Sequence, residues 1–268
     1  MDRNAGTPRV SVVLPTWNRA HMIERAVASV LAQTFSDFEL VVVDDASTDS
    51  TRAVVAAIAD PRLRVHTLPE NRGPAAARNA GIDLARGNFV AFHDSDDEWF
   101  PHKLARHLEV FGEHPGASVT HSDMVRVHEG GGTSRQATPD VRPGCWVDRD
   151  RGAYQTYGLG VQAAVLRRSC FEGNTRFDES LRCFEDLELF QRLSRKLVFV
   201  AIHEPLVRYY EGPGVSTHLG RHLAARRRLL FRWMPHLLPR HPWFVAREFL
   251  KVHKGLLALP ATDRFPTS

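Results

Sequence analysis

An α/β fold, with a mostly parallel central sheet flanked by helices, follows from three features of the 268-residue sequence. Short apolar runs of strand length alternate with segments whose apolar residues recur at helical spacing. The links between them are short. Each apolar run in the first hundred residues is followed by polar residues. Strand–helix repeats with short links specify parallel strands covered on both faces. Ligands of such sheets bind beyond the carboxyl ends of the strands.

The elements follow in order. Val10 to Leu14 is an apolar run with the character of a doubly buried strand. From Ala20 to Ala32, Met22, Ile23, Ala26, Val27, Val30 and Leu31 keep helical spacing. Phe38 to Val43 is a second buried strand. Ser47 to Ala59 reads as a helix capped by Ser47 or Thr48, with Val54, Val55 and Ile58 inward. Leu63 to Thr67 is a third strand, Pro74 to Ala85 an Ala-rich helix ended by Gly87, and Asn88 to His93 a fourth strand. Beyond Asp97 the alternation loosens. Pro101 to Gly112 is a helix with Pro near its start, and Ser118 to Val127 is a strand. Residues 128–153, rich in Gly, Arg and Asp, read as a loop or irregular hairpin. Gly160 to Arg167, Leu197 to Ile202 and Leu206 to Tyr210 are strands, and Glu185 to Arg195 is a helix with Leu187, Phe190 and Leu193 inward.

Two amphipathic helices follow as a C-terminal extension. Leu219, Leu223, Leu230 and Met234 recur before Pro235. After Pro242, Trp243, Ala246, Phe249, Leu250 and Leu257 are expected on one side, and Arg247, Lys251 and Lys254 on another. The expected organisation is one domain over 1–218, with a nucleotide-binding half at about 8–100 and an acceptor half at about 101–218, followed by the extension 219–268.

Composition narrows the class. Apolar residues make up 43% and charged residues 25%, which excludes a disordered or fibrous chain. Three cysteines (Cys145, Cys170, Cys183) without a CxxC pair argue against a disulfide framework and a cysteine-rich zinc site, and fit a reducing compartment. The start, Met1-Asp2-Arg3-Asn4, carries no apolar signal region, and no apolar run approaches 18 residues. The expected location is therefore cytoplasmic. Charge is uneven. The formal net charge is +4, yet residues 219–268 hold ten Lys or Arg against two acids, so the preceding body is slightly acidic. Such a tail suits an anionic partner.

The polar clusters carry the chemistry. After the first strand comes Pro15-Thr16-Trp17-Asn18-Arg19, and after the second Asp44-Asp45-Ala46-Ser47-Thr48-Asp49. After the third come Glu70-Asn71-Arg72-Gly73 and Ala77-Arg78-Asn79, and after the fourth Asp94-Ser95-Asp96-Asp97. Taken singly, Trp17 reads as core, Asp44-Asp45 as a turn and Arg78 as a solvated helix face. Three carboxylates in four residues are different, because they repel one another unless a cation or donors neutralise them. Together the clusters supply what a nucleoside diphosphate with a divalent metal needs. An aromatic ring stacks on the base, a carboxylate accepts a base N–H, and arginine meets base or phosphate. Hard oxygen ligands hold Mg2+ or Mn2+ against the diphosphate.

These segments resemble the family 2 glycosyltransferases, an inverting group with the GT-A (Rossmann-like) fold. Further matches are Arg176-Phe177-Asp178-Glu179-Ser180-Leu181 and Phe184-Glu185-Asp186-Leu187-Glu188-Leu189, and the resemblance spans roughly residues 8–217. It implies transfer of a sugar from a nucleotide sugar, UDP-linked by preference, to a hydroxyl of a glycan, a lipid-linked sugar or a small molecule. Pro15, Thr16, Trp17 and Arg19 would hold the nucleoside side, with Trp17 near the base. Asp45 would accept the base N–H, and Arg72 or Arg78 would contact base or phosphate. Asp94-Ser95-Asp96 matches the family's DxD motif. Asp96 is then the leading metal ligand, Asp94 a ribose or metal contact, and Asp97 the ligand in a shifted register. Asp186 matches the catalytic base, with Glu185 beside it in the acceptor pocket. One departure stands out. Glu211 occupies a position where many relatives carry His, so the third metal ligand is Glu211, His218 or neither.

Other classes fit less well. A nucleotidyltransferase needs a Gly- and Arg/Lys-rich phosphate loop after the first strand, and a dinucleotide oxidoreductase needs GxGxxG there. Neither occurs. The basic tail alone would suit nucleic acid, but the acidic clusters oppose that partner and no nucleic-acid motif is present. The tail is instead expected to attach the protein peripherally to an anionic membrane, to pack on the core or to form a homodimer contact.

Overall fold

The computed structural model describes residues 6–148, 150–212 and 219–258. In chain order the elements are β1 (Val10–Thr16), α1 (Ile23–Leu31), β2 (Phe38–Asp44), α2 (Thr51–Ala56), β3 (Leu63–Thr67), α3 (Pro74–Leu84), β4 (Phe89–Phe92), β5 (Glu98–Trp99) and α4 (Lys103–Glu113). Next come β6 (Val119–Val127), β7 (Thr133–Gln136), β8 (Val147–Asp148), β9 (Ala153–Tyr154), β10 (Ala164–Arg167), α5 (Glu185–Leu193), β11 (Phe199–Tyr210), α6 (Leu219–Leu237) and α7 (Pro242–Ala258).

The main sheet runs β3-β2-β1-β4-β10-β6-β11-β5, with β7 added to β6. Its first four strands are parallel, and every residue of β1 and β2 is buried. This matches their mainly apolar runs, since helices cover both faces, and the polar exceptions Ser11 and Glu39 satisfy each other at 2.7 Å. The register then sets the site. Thr16 pairs with Asp44 and Asp44 with Thr67, so β1, β2 and β3 end level. Phe92 pairs with Val13, which brings Asp94 and Ser95 to the same edge, two and three residues beyond β4.

Beyond β4 the sheet is mixed rather than mostly parallel. β10 enters antiparallel between β4 and β6, β11 runs parallel to β6, and β5 and β7 are antiparallel to their partners. Several expectations shift with it. Ser47 and Thr48 do not cap α2, which starts only at Thr51. They instead join the first two strand ends: Ser47 Oγ accepts from Asn18 N–H, and Asn18 Oδ1 accepts from Thr48 N–H. The expected strands at 197–202 and 206–210 form one element, β11, with bulges around Pro205. Pro205 lacks the N–H that an even ladder needs. The segment from Gly160 opens as a 3-10 turn before β10. Residues 128–153 contain β7, β8 and the start of β9.

Two apolar clusters cover the sheet. Val10, Val12 and Leu14 pack with Ile23, Val27, Leu104 and Phe111 on one face. Val13 and Phe92 pack with Leu166, Leu189 and Phe190 on the other. A third cluster docks the extension. Leu229, Leu230, Trp233, Leu237, Phe244 and Val245 pack on Trp146, Tyr154, Leu181 and Leu187. In α7 the apolar residues divide between two sides. Phe244, Val245, Glu248, Val252 and Leu256 face inward, while Trp243, Leu250 and Leu257 are exposed. All three cysteines are free. Among the described residues no helix is long and apolar enough to cross a membrane.

Candidate functional site

A large cleft of about 1870 Å3 opens at the carboxyl edge of β1, β2 and β4. Pro15, Thr16, Trp17 and Arg19 line it from the first strand end. Trp17 is not core: it is 48% exposed, which leaves its ring face available for stacking. Arg19 and Asp96 approach to 3.8 Å.

Asp45 organises the neighbouring loop. Its Oδ1 accepts from Arg72 N–H at 2.8 Å and its Oδ2 from Gly73 N–H at 2.7 Å. Each oxygen keeps a further lone pair for a ligand. Burial pushes its carboxyl above the ordinary value, although the two N–H groups and the charge of Arg182 pull the other way. Gly73 sits at φ +91, a conformation natural to glycine, and a Cβ there would meet the Arg182 guanidinium at 2.6 Å.

Arg72 and Arg78 are placed differently. The Arg72 side chain turns to Glu179 at 2.6 Å and does not line the cleft. Arg78, from α3, is buried at its centre. One guanidinium nitrogen donates to Asp94 Oδ1 at 2.6 Å and the other to Glu185 Oε1 at 2.7 Å. Burial opposes its charge, but Asp94, Glu185 and Asp186 outweigh that and hold its pKa above the ordinary value. Thus one side chain links the turn after β4 to the start of α5.

Asp186 lies beside Glu185 on that start and lines the cleft. Burial, then the adjacent Glu185 charge, push its carboxyl up to about 7, against the pull of Arg78. The preceding Phe184 holds φ 61, the left-handed region, which is strained for an aromatic residue. Such strain marks a segment whose placement is imposed by its surroundings. The Phe184 ring packs on His222 of α6 at 4.4 Å between centroids.

In the acidic turn, Asp94, Ser95 and Asp96 line the cleft and Asp97 does not. Asp97 is buried, its Oδ1 accepts from Tyr210 N–H at 3.1 Å in support of β11, and its Oδ2 has no hydrogen-bond partner. Burial and then the Asp94 charge raise the Asp96 carboxyl. No group of three or more His, Cys, Asp or Glu among the described residues could hold a metal unaided. The pair Asp94 and Asp96 nevertheless fits Mg2+ or Mn2+, which often bind through one or two carboxylates plus substrate phosphates. Glu211 is not among the cleft-lining residues and is tied to Arg126 and to His128, each at 2.8 Å. His218 lies outside the described residues.

Two groups of lining residues carry no sequence signal. Arg182 follows the Phe177–Leu181 segment without belonging to a strand end. Arg221, Arg227, Arg228 and Phe231 come from α6, so the basic extension forms part of the cleft wall. The sequence places it outside the chemistry because nothing in a helical repeat tells which element it will cover.

Comparison with known proteins decides the family. Residues 11–172 match the profile described as glycosyl transferase family 2. The chain belongs to that family. It is 37% identical over 187 residues to the succinoglycan biosynthesis protein ExoO of Rhizobium meliloti, covering 67% of this chain and 53% of the relative. The chain thus spans about half the length of that relative, and 66% of the colanic acid biosynthesis relative WcaA of Escherichia coli. Among solved structures, Staphylococcus aureus TarS in complex with UDP matches with TM-score 0.73 at 23% identity, covering 96% of this chain and 77% of that one. The mannosyltransferase PcManGT of Pyrobaculum calidifontis, in complex with GDP-Man and Mn2+, matches with TM-score 0.61 at 20% identity, over 97% and 78% of the two chains. These likenesses establish the GT-A fold for this family 2 member.

Proposed function

We propose that this family 2 protein transfers a sugar, with inversion, from a nucleoside diphosphate sugar, UDP-linked by preference, to an acceptor hydroxyl. One observation carries the reading: Asp186 and the pair Asp94 and Asp96 share one cleft, and Arg78 joins Asp94 to Glu185, the neighbour of Asp186. The donor nucleoside would lie against Pro15, Thr16 and Trp17, with Asp45 accepting the base N–H. Arg78 would hold Asp94 in place and meet the sugar or phosphate, while Arg19 would orient Asp96. Asp94 and Asp96 would hold Mn2+ or Mg2+, and the bound cation would stabilise charge on the leaving diphosphate as a Lewis acid.

Inversion requires attack on the anomeric carbon from the side opposite the diphosphate. The acceptor hydroxyl loses its proton as the new bond forms, and a carboxylate poised near pH 7 suits that task. Asp186 has that character, since its environment raises it to about 7. Glu185, neutralised by Arg78, is better suited to hold the acceptor. The test is nucleoside diphosphate release from a panel of UDP- and GDP-sugars, with Mn2+ or with chelator. Release from at least one donor, lost with chelator, is expected. Failure of every nucleoside diphosphate to bind would remove the reading.

The same proposal includes peripheral attachment through α7. Trp243, Leu250 and Leu257 are 87%, 56% and 65% exposed and repeat every seven residues. Arg247, Lys251 and Lys254 flank this ridge, a combination suited to an anionic membrane. Trp243→Ala with Leu250→Ala should reduce sedimentation with phosphatidylglycerol vesicles at least fivefold. Unchanged sedimentation, with a homodimer lost instead, would assign the ridge to self-association.

A further inference from the structure

The acidic turn after β4 is held from outside itself. Ser95 and Asp96 are its central residues, and Asp97 N–H closes it by donating to Asp94 O at 3.2 Å. Carboxylates this close in sequence repel one another, so a turn that carries them needs support to keep one shape. Its two ends are held by one side chain of α1. Ser29 Oγ accepts from Trp99 N–H at 3.1 Å and lies 3.3 Å from His93 Nε2. His93 precedes the turn and Trp99 follows it.

Arg25 stands one helical turn before Ser29, on the same face of α1. Its Nη2 donates to Asp96 O at 2.6 Å. The closing hydrogen bond of the turn does not use this carbonyl, so Arg25 fixes the peptide after Asp96 from outside. That peptide sets the direction in which Asp96 carries its side chain. Arg25 is itself held, because its guanidinium lies 3.9 Å from the centre of the Tyr210 ring. Tyr210 in turn grips the next two residues. Its N–H donates to Asp97 Oδ1 at 3.1 Å and its hydroxyl to Glu98 Oε2 at 2.8 Å. Residues 96, 97 and 98 are thus fastened in succession to the pair of Arg25 and Tyr210. A planar guanidinium can stack through its face while donating through its edge, whereas an ammonium has neither face nor fork. Arg19 approaches the Asp96 carboxylate only to 3.8 Å, beyond hydrogen-bond reach, and so supplies charge rather than direction. Arg25 does not line the cleft.

We infer that Arg25 is a positioning residue for the divalent metal, acting through the backbone of Asp96 to preset the Asp96 carboxylate in the cleft. The inference rests on the metal-assisted reading of the site and adds to it a residue that touches neither donor nor cation. Groups that orient a metal ligand contribute about 10- to 100-fold to metal affinity.

Mn2+ binding by the full chain tests this, read by electron paramagnetic resonance of free Mn2+ in the presence of whichever of UDP and GDP binds. Arg25→Met should weaken Mn2+ binding about tenfold or more, with metal-free nucleotide affinity and the thermal unfolding midpoint unchanged. Arg25 is exposed, so the variant is expected to fold. Arg25→Lys keeps the charge, gives up the planar fork and should restore only part of the loss. Tyr210→Leu removes the ring, keeps the N–H and should also weaken Mn2+ binding. Combined with Arg25→Met it should add less than its separate effect, because the ring acts in part through Arg25. Unchanged Mn2+ binding in Arg25→Met would overturn the inference. Full recovery in Arg25→Lys would overturn it too, since charge alone would then suffice. A fall in metal-free nucleotide affinity as large as the fall in Mn2+ affinity would assign Arg25 to general support of the fold and overturn it as well. Absence of Mn2+ binding in the wild type with either nucleotide would instead mark failure of the metal-assisted reading itself, and the role of Arg25 with it.

Discussion

Replacing Arg78 by Met should unfold the site before it alters any surface. The Arg78 side chain is 6% exposed, and its carboxylate partners Asp94 and Glu185 are 24% and 10% exposed. Methionine keeps most of the length but removes both hydrogen bonds and the charge that joins α3 to α5. Breaking a buried pair by deleting one partner costs about 3–5 kcal/mol, because the remaining charge is left without compensation. Here two carboxylates lose a partner and Asp186 loses the charge that holds it down, so a loss at the upper end of that range is expected at pH 8. Acidification should shrink the gap, since carboxylates without a partner take up protons in the folded state and shed their repulsion. Urea unfolding followed by tryptophan fluorescence at pH 8 and pH 5 reads both effects. A loss below about 1 kcal/mol, or a gap that does not change with pH, would refute the view of Arg78 as the buried link between the two halves of the site.

Other expected outcomes are as follows. The acceptor-dependent rate should rise with pH through about 7, because Asp186 is raised to about 7 and must lose its proton to act as base. A profile that is flat from pH 5.5 to 8.5 would contradict the assignment. Lys103 is fully buried over the Trp99 ring, and burial pushes its ammonium down to about 7. The unfolded chain therefore binds this proton more readily between about pH 7 and 10, so this group makes stability rise with pH across that window. Lys103→Met should flatten the rise in thermal unfolding temperature between pH 7 and 9, and an unchanged slope would count against the buried lysine. Asp96→Asn should raise the Mn2+ concentration for half-maximal activity at least tenfold, whereas Asp97→Asn should leave it within twofold.

The parallel half of the fold was legible because β1, β2 and β4 are buried along their whole length and read as largely apolar runs, while the half-exposed edge strand β3 was legible from its position in the alternation. The strand-end residues were legible for a related reason: polar residues at the end of a buried strand need a partner, and here they face the cleft together. Arg78 was visible as a candidate, but its separation from Arg72 depended on a contact 107 residues away, with Glu185. Other features had no local signature. β5 has two residues and exists only by pairing with β11. The inward face of α7 had no local signature because apolar residues occupy two sides of that helix, and the position of Tyr154 and Trp233 decides that Phe244 rather than Trp243 turns inward. The cleft-lining role of α6 depends on where the extension folds back, which its sequence spacing does not encode.

The central claim is that Asp186 takes the acceptor proton in a nucleotide-sugar transfer. Comparing Asp186→Asn with the wild type for UDP affinity and for transfer, on the donor found active, tests it directly. The account predicts UDP affinity within threefold and transfer reduced at least a hundredfold, in line with the contribution of a positioned general base, about 10^2–10^4. Transfer within tenfold of the wild type, with UDP affinity retained, would contradict it.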